Sequence, residues 1–206
     1  MSGISLKNSR EIESMRKGGK ILGEILSALE AKAVPGATTM DLERAAEKLF
    51  DEYGVQPGFK GYHGYPYILC TSVNDQVVHA FPSNVPLQKG DILSIDCGVI
   101  LDGLNTDSAV AVIVGGEAAP EIKKFVDTSV QALWAGIKQV KPGNRVGDIS
   151  NAIQQRVKPH GYGIVEELTG HGIGYKLHEE PHVYNFGKAG KGPALKPGMT
   201  LPSNPF

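Results

Sequence analysis

Two aspartates stand out in the stretch Asp91-Ile-Leu-Ser-Ile-Asp96-Cys-Gly-Val-Ile-Leu-Asp102-Gly103-Leu-Asn-Thr-Asp107-Ser-Ala-Val-Ala-Val-Ile-Val114. Each lies in an otherwise apolar run, and Asp102-Gly103 between the runs is a strong signal for a two-residue hairpin turn. With that turn, residue 96 pairs with 109. Side chains alternate faces along a strand, so 107 shares the face of 109. Asp96 and Asp107 then project as diagonal neighbours, about 7–8 Å apart in ideal geometry. Two carboxylates on a buried face repel and desolvate each other, and a cation between them relieves both effects. Hard divalent ions with oxygen ligands suit such a pair. The bland alternative is two aspartates on a solvated hairpin.

A second stretch with chemical potential is Glu167-Leu-Thr-Gly170-His171-Gly172-Ile-Gly174-Tyr-Lys-Leu177-His178-Glu179-Glu180-Pro181-His182-Val183. Glycine costs backbone entropy, so three of them around one histidine imply a close backbone approach. A neutral imidazole ligates Zn, Mn, Fe or Co. His171 and His178 are seven apart, a spacing that allows one ligand and one group beyond it. Singly, a histidine next to glycine is more often an ordinary loop residue.

Helices must carry these stretches. Asn8-Ser9 can cap a helix with Glu11 in its first turn, and Ile12, Met15, Leu22, Ile25, Leu26 and Leu29 recur at helical spacing up to Pro35-Gly36. A second helix is expected from about Thr39, burying Leu42, Ala45, Ala46, Leu49 and Phe50 and stopping at Gly54. Then come a Gly- and Tyr-rich loop, Gly61-Tyr-His-Gly-Tyr-Pro-Tyr67, and two strand-like stretches, 68–73 and 76–80. After the hairpin, a third helix is expected over about 120–140 and a fourth over about 146–160, with Gly161 as its stop.

An internal repeat organises the whole. Pro142 lies 107 residues after Pro35, and Gly161 lies 107 after Gly54. Leu87-Gln-Lys-Gly90 returns as Leu195-Lys-Pro-Gly198, 108 residues on. Two halves of helix, helix and strands, each too small to bury its own face, predict one pseudo-symmetric α/β domain over 1–206 with a shared sheet, divided near residue 115.

Composition narrows the class. A chain of 206 residues with a net charge of −1 is large enough for a core and gives no reason to expect nucleic acid or an acidic membrane as partner. Two cysteines imply no disulfide framework, and neither a signal pattern nor a membrane span is readable. A cytoplasmic protein is expected.

Taken together, Gly170-His171-Gly172-Ile173-Gly174 with His178-Glu179-x-Pro181, the Asp96/Asp107 pair, and Gly61-Tyr62-His63-Gly64-Tyr65-Pro66 with Cys70 and His79 resemble the type I methionine aminopeptidases. The likeness runs over essentially the whole chain. It implies the α/β pita-bread fold, with two pseudo-symmetric halves around a mostly antiparallel curved sheet. It also implies two divalent metal ions (Co, Mn, Fe or Zn) and hydrolytic removal of the initiator methionine from nascent polypeptides, at or near the ribosome, by a monomer.

By the same resemblance, Asp96 ligates one metal, Asp107 bridges both and His171 ligates the second. His79 lies near the scissile nitrogen and His178 near the carbonyl oxygen. Tyr62, Tyr65 and Cys70 line an apolar pocket for the thioether, and Leu177 stands where an aromatic is common. Two metals lower the pKa of a water towards ~7, which makes it a usable nucleophile.

The likeness fails at one place. The family supplies two further ligands, both glutamates, the first in a segment like Leu-Ala-Ile-Glu-Pro. Here the chain reads Leu201-Pro-Ser-Asn204-Pro-Phe206. Asn204 carries no charge and accepts no proton in turnover, so the chain as written is expected to be impaired. Codons CTT GCC ATC GAA CCC ATT T, with the G of GCC deleted, would read Leu-Pro-Ser-Asn-Pro-Phe, so a frameshift after Leu201 is expected. Two alternatives stay open. One is an inactive relative kept as a binding module. The other is a relative that cleaves another bond, as proline-directed peptidases do, against which Tyr62, Tyr65 and Cys70 speak.

Overall fold

The computed structural model describes residues 3–202. The reading of a frameshifted tail, and with it Asn204, lies outside them. The chain forms two compact units, Ser14–Lys123 and a second made of 1–13 with 124–206. The elements are α1 (Ser9–Glu30), α2 (Thr39–Tyr53), β1 (Gln56–Pro57), β2 (Leu69–Val73), β3 (Ile92–Leu101), β4 (Leu104–Ile113), α3 (Pro120–Ile137), α4 (Val146–Val157), β5 (Thr169–Gly172) and β6 (Glu179–Tyr184).

In the unit Ser14–Lys123, β3 is the central strand. β4 pairs with it along its full length, and β1 and β2 pair with successive parts of its other side, all antiparallel. Asp102 and Gly103 both have positive φ, 52° and 76°, as a tight turn matching strand twist requires. Leu93, Ile95, Cys97 and Val99 point to one face and join Leu22, Ile25, Leu29, Leu42, Ala46 and Phe50 in one core. Those helical residues recur every three or four positions, so α1 and α2 each bury one stripe against the sheet. Thr38 caps α2 with Asp41 in a reciprocal capping box, and Gly54 ends it at φ 63°.

Two expectations need correction. α1 stops at Glu30 rather than running to Pro35. The chain turns there through hydrogen bonds from the N–H groups of Lys32 and Ala33 to Leu29 and Glu30, which lets Ala33 into the core. Residues 76–80 are not a strand. Asn74 and His79 adopt φ 55° and 58°, which break the pleat, and one backbone bond from the Thr71 N–H to the Ala80 carbonyl is what remains of a ladder.

In the other unit, α4 packs on β6 through Val146, Ile149, Val183 and Leu195. The helix ends at Val157, a 3₁₀ turn continues to His160, and Gly161 closes it at φ 74°. The repeat is legible in local geometry. Gly36 and Gly143 have φ 89° and 93°, and Gly90 and Gly198 have 92° and 90°. Thr38 bridges Pro86 as Arg145 bridges Ala194. The N–H of Leu87 donates to Ala37, and that of Leu195 to Asn144. Each unit thus repeats one scheme for tying a helix start to a later strand-like segment.

Candidate metal centre

The hairpin register brings the first pair together. Asp96 lies opposite Ala109, and Asp107 opposite Gly98, so the two aspartates are diagonal neighbours on the face away from the helices. Gly98 keeps that face close-packed, since a Cβ there would come within 2.8 Å of the Phe59 ring. Both aspartates are buried. Their carboxyls approach closely enough to hydrogen-bond each other. Burial first, and then the charge of Asp107, push the Asp96 carboxyl well above the ordinary carboxylate range. The Oδ1 atom of Asp96 is buried with no hydrogen-bond partner. A buried acceptor left in that state costs free energy unless something positive faces it. The pair therefore fits a hard divalent cation, with carboxylate oxygen as the donor. Within neither unit, among the described residues, do three His, Cys, Asp or Glu side chains converge.

Around this pair the sheet supplies an apolar wall. Cys70 on β2 pairs directly with Asp96 and is buried. Burial above all, with the nearby charges of Asp96 and Asp107, pushes its thiol up to about 12, so it stays neutral at pH 7. Tyr65 hydrogen-bonds the Cys70 thiol and donates its O–H to the Leu69 carbonyl at 2.8 Å. Its ring meets Phe81 edge to face, with centroids 5.2 Å apart. Tyr62 is exposed, against His63 at 4.4 Å. His79 is exposed in its left-handed conformation.

In the other unit, β5 and β6 pair with a bulge between Gly170 and Gly172 that leaves His171 at the irregularity. The His171 and His178 rings lie 4.3 Å apart. His171 Nδ1 sits 2.8 Å from the Gly172 carbonyl. With Nδ1–H donating there, the neutral ring carries its lone pair on Nε2, as a metal ligand requires. Leu177 is buried in the connection ahead of His178.

Gly172 is a steric necessity, and Gly174 is required by its φ of 147°. A Cβ on Gly172 would lie 2.2 Å from the Glu180 carbonyl oxygen, and one on Gly174 would lie 2.1 Å from Lys7 Cε. Gly172→Ala should therefore cost about 3 kcal/mol or more in denaturant unfolding. Gly163→Ala, with nothing within 4 Å, should change stability by less than about 0.5 kcal/mol.

Two residues beyond the sequence reading support these groups. Lys7 makes a buried ion pair with Glu179, Nζ to Oε2 2.7 Å, next to His178. No local pattern marks Lys7, because its partner is 172 residues away. Glu43 on α2 accepts hydrogen bonds from the N–H groups of Ile68 and Leu69. Its signal was available: it falls on the stripe of Thr39, Leu42, Ala46 and Phe50, where a charge is out of place.

Comparisons with known proteins bear on the family and the fold. The model of metallopeptidase family M24 matches residues 13–205. A methionine aminopeptidase of Clostridium perfringens is 48% identical over 98% of this chain and 81% of its own length. The crystal structure of a methionine aminopeptidase from Thermotoga maritima superposes with a TM-score of 0.93 at 41% identity, covering 96% of this chain and 80% of that one. Prolidase from Pyrococcus furiosus, at 22% identity and a TM-score of 0.81, shares the fold, covering 94% of this chain and 55% of its own. That common architecture is the pita-bread fold expected above. The chain belongs to metallopeptidase family M24 and groups within it with the methionine aminopeptidases.

Proposed function

We propose that this protein removes the N-terminal methionine from newly made polypeptides by metal-dependent hydrolysis. The observation that carries the reading is the buried, close-set Asp96/Asp107 pair with its raised Asp96 carboxyl, in a chain 48% identical to a methionine aminopeptidase. Asp96, Asp107 and His171 would hold two divalent ions, Co, Mn, Fe or Zn. Such ions, when bound, supply Lewis acidity and a water of lowered pKa. Asp107 would be shared between the ions, and Asp96 and His171 would each supply one further ligand. His79 orients the scissile amide nitrogen, and His178 steadies the charge that develops on the carbonyl oxygen. Tyr62, Tyr65, Cys70 and Leu177 shape the pocket for the methionine side chain. A thiol held neutral suits a thioether and does not compete with the carboxylates as a ligand. The setting is the cytoplasm, with nascent chains at the ribosome as substrates and a monomer as the working form.

A carboxamide at 204 offers neither charge nor a proton acceptor, so Asn204 slows turnover relative to a glutamate there. The test is release of methionine from a Met-Ala peptide over a titration of each metal. It compares the chain as given with a form carrying glutamate at 204 and continued through the next family carboxylate. Turnover at least ~100-fold higher in the continued form is expected. Equal turnover in the two would remove the glutamates from the ligand set.

A further inference from the structure

Glu43 is a carboxylate almost wholly removed from water, 3% exposed, on the buried stripe of α2. Among the described residues no lysine or arginine forms an ion pair with it, and Lys60 acts on it only through its charge. Its two oxygens instead accept from consecutive backbone amides, Oε1 from Ile68 at 2.7 Å and Oε2 from Leu69 at 2.9 Å. Burial pushes this carboxyl up and those two N–H groups pull it down, burial being the larger. A helix residue that only filled space would be apolar, like its neighbours Leu42 and Ala46. The chemistry points to a clamp, with two donors and two acceptors in a fork.

What the clamp grips is specific. Ile68 and Leu69 end the Tyr-rich loop and begin β2, one residue before Cys70. At the next peptide along, the Tyr65 O–H donates to the Leu69 carbonyl at 2.8 Å, and the Tyr65 oxygen also bonds the Cys70 thiol. The backbone at 68–70 is thus tied to α2 by Glu43 and to the Tyr-rich loop by Tyr65. We propose that Glu43 is the positioning residue of the methionine side-chain pocket, fixing the Tyr65–Cys70 wall through the amides of 68 and 69. The inference rests on reading that wall as the pocket of the proposed aminopeptidase. Glu43 itself touches no substrate.

The two cysteines of the chain make a direct test. Cys70 faces the wall, whereas Cys97 lies in the core between sheet and helices and pairs with Leu69 in register. Loosening of the wall alone exposes Cys70 and leaves Cys97 protected. General loss of stability exposes both. The full chain and its Glu43→Gln variant are alkylated with iodoacetamide under native conditions at pH 8, and modification at each cysteine is followed by mass spectrometry. Gln offers one oxygen in place of two and turns an N–H donor towards an N–H donor. Cys70 should react at least ~10-fold faster in the variant, with Cys97 unchanged. Equal acceleration of both cysteines, or no change at Cys70, would overturn the proposal. If Glu43→Gln does not fold, Glu43→Asp, which keeps the charge but draws the fork back by one methylene, is read in the same way. Alkylation needs no turnover, so it separates failure of this inference from failure of the aminopeptidase reading.

Discussion

Asp96→Asn will make the metal-free protein more stable at pH 8, by about 1–3 kcal/mol, and will leave it nearly unchanged near pH 4. The sign follows from the direction of the shift. Burial and the Asp107 charge hold the Asp96 carboxyl well above its unfolded value. Between the unfolded and the folded pKa, the folded state keeps a proton that the unfolded state has released, so stability falls as pH rises. Above the folded pKa the full cost of a buried, repelled charge is present. Asparagine carries no such charge, and its advantage grows through that same window. Denaturant unfolding of the metal-free variant and parent across pH 4–8 measures it. Cation binding should move oppositely: metal-induced stabilisation of the parent disappears in the variant, since losing a direct ligand should exceed the ~10–100-fold cost of losing an outer partner. A group that destabilises the empty fold and is useful only with a cation present is what a functional site looks like in energetic terms.

Lys7→Met has the opposite character and is expected to cost about 3–5 kcal/mol. The Lys7 and Glu179 side chains are 1% and 7% exposed. Glu179 also accepts from the Ser5 hydroxyl and, at 2.8 Å, from the Lys176 amide. The Lys7 N–H is held by the Gly198 carbonyl at 2.8 Å, and its ammonium lies 5.3 Å from the Tyr175 ring centre. Burial alone would raise the Glu179 carboxyl, but the bonds from Lys7, Ser5 and the Lys176 amide outweigh it, leaving it below its ordinary value. Its contribution is present above the unfolded carboxylate pKa and is lost as pH falls through the folded one. Removing Lys7 strands a buried carboxylate, which then favours protonation. The deficit of the variant should therefore be largest near neutral pH and shrink in acid. Glu179→Gln added to Lys7→Met should recover part of the loss, because no buried charge remains. Paired unfolding curves at pH 7 and pH 4 for the single and double variants check both statements.

Much of the fold was open to reading because its signals are local. Asp102-Gly103 between alternating apolar runs sets the hairpin register, and that register alone makes Asp96 and Asp107 neighbours. The glycines at 36, 90, 143 and 198 share positive φ values, so the repeat in letters is a repeat in backbone. Two of the misses share a cause, contacts distant in the chain. Residues 76–80 have strand-like composition, but the left-handed turn at Asn74 is held by long-range ties. The Asn74 side chain bonds both the Ile92 amide and Asp91. Lys7 was invisible because its partner is distant in the chain. Glu43 was overlooked although its place on an apolar stripe was a warning. The glycines around His171 predicted a close backbone approach, which the Glu180 carbonyl makes at Gly172, while Gly174 is set by its φ of 147°.

The account stands most directly on calorimetric titration of Co²⁺ or Mn²⁺ into the metal-free 206-residue chain, beside its Asp96→Asn, Asp107→Asn and His171→Ala variants. It predicts saturable binding to the parent and a loss of more than ~100-fold in affinity in each aspartate variant, with His171→Ala losing one of the two bound ions. Undiminished binding after both aspartates are replaced would contradict it.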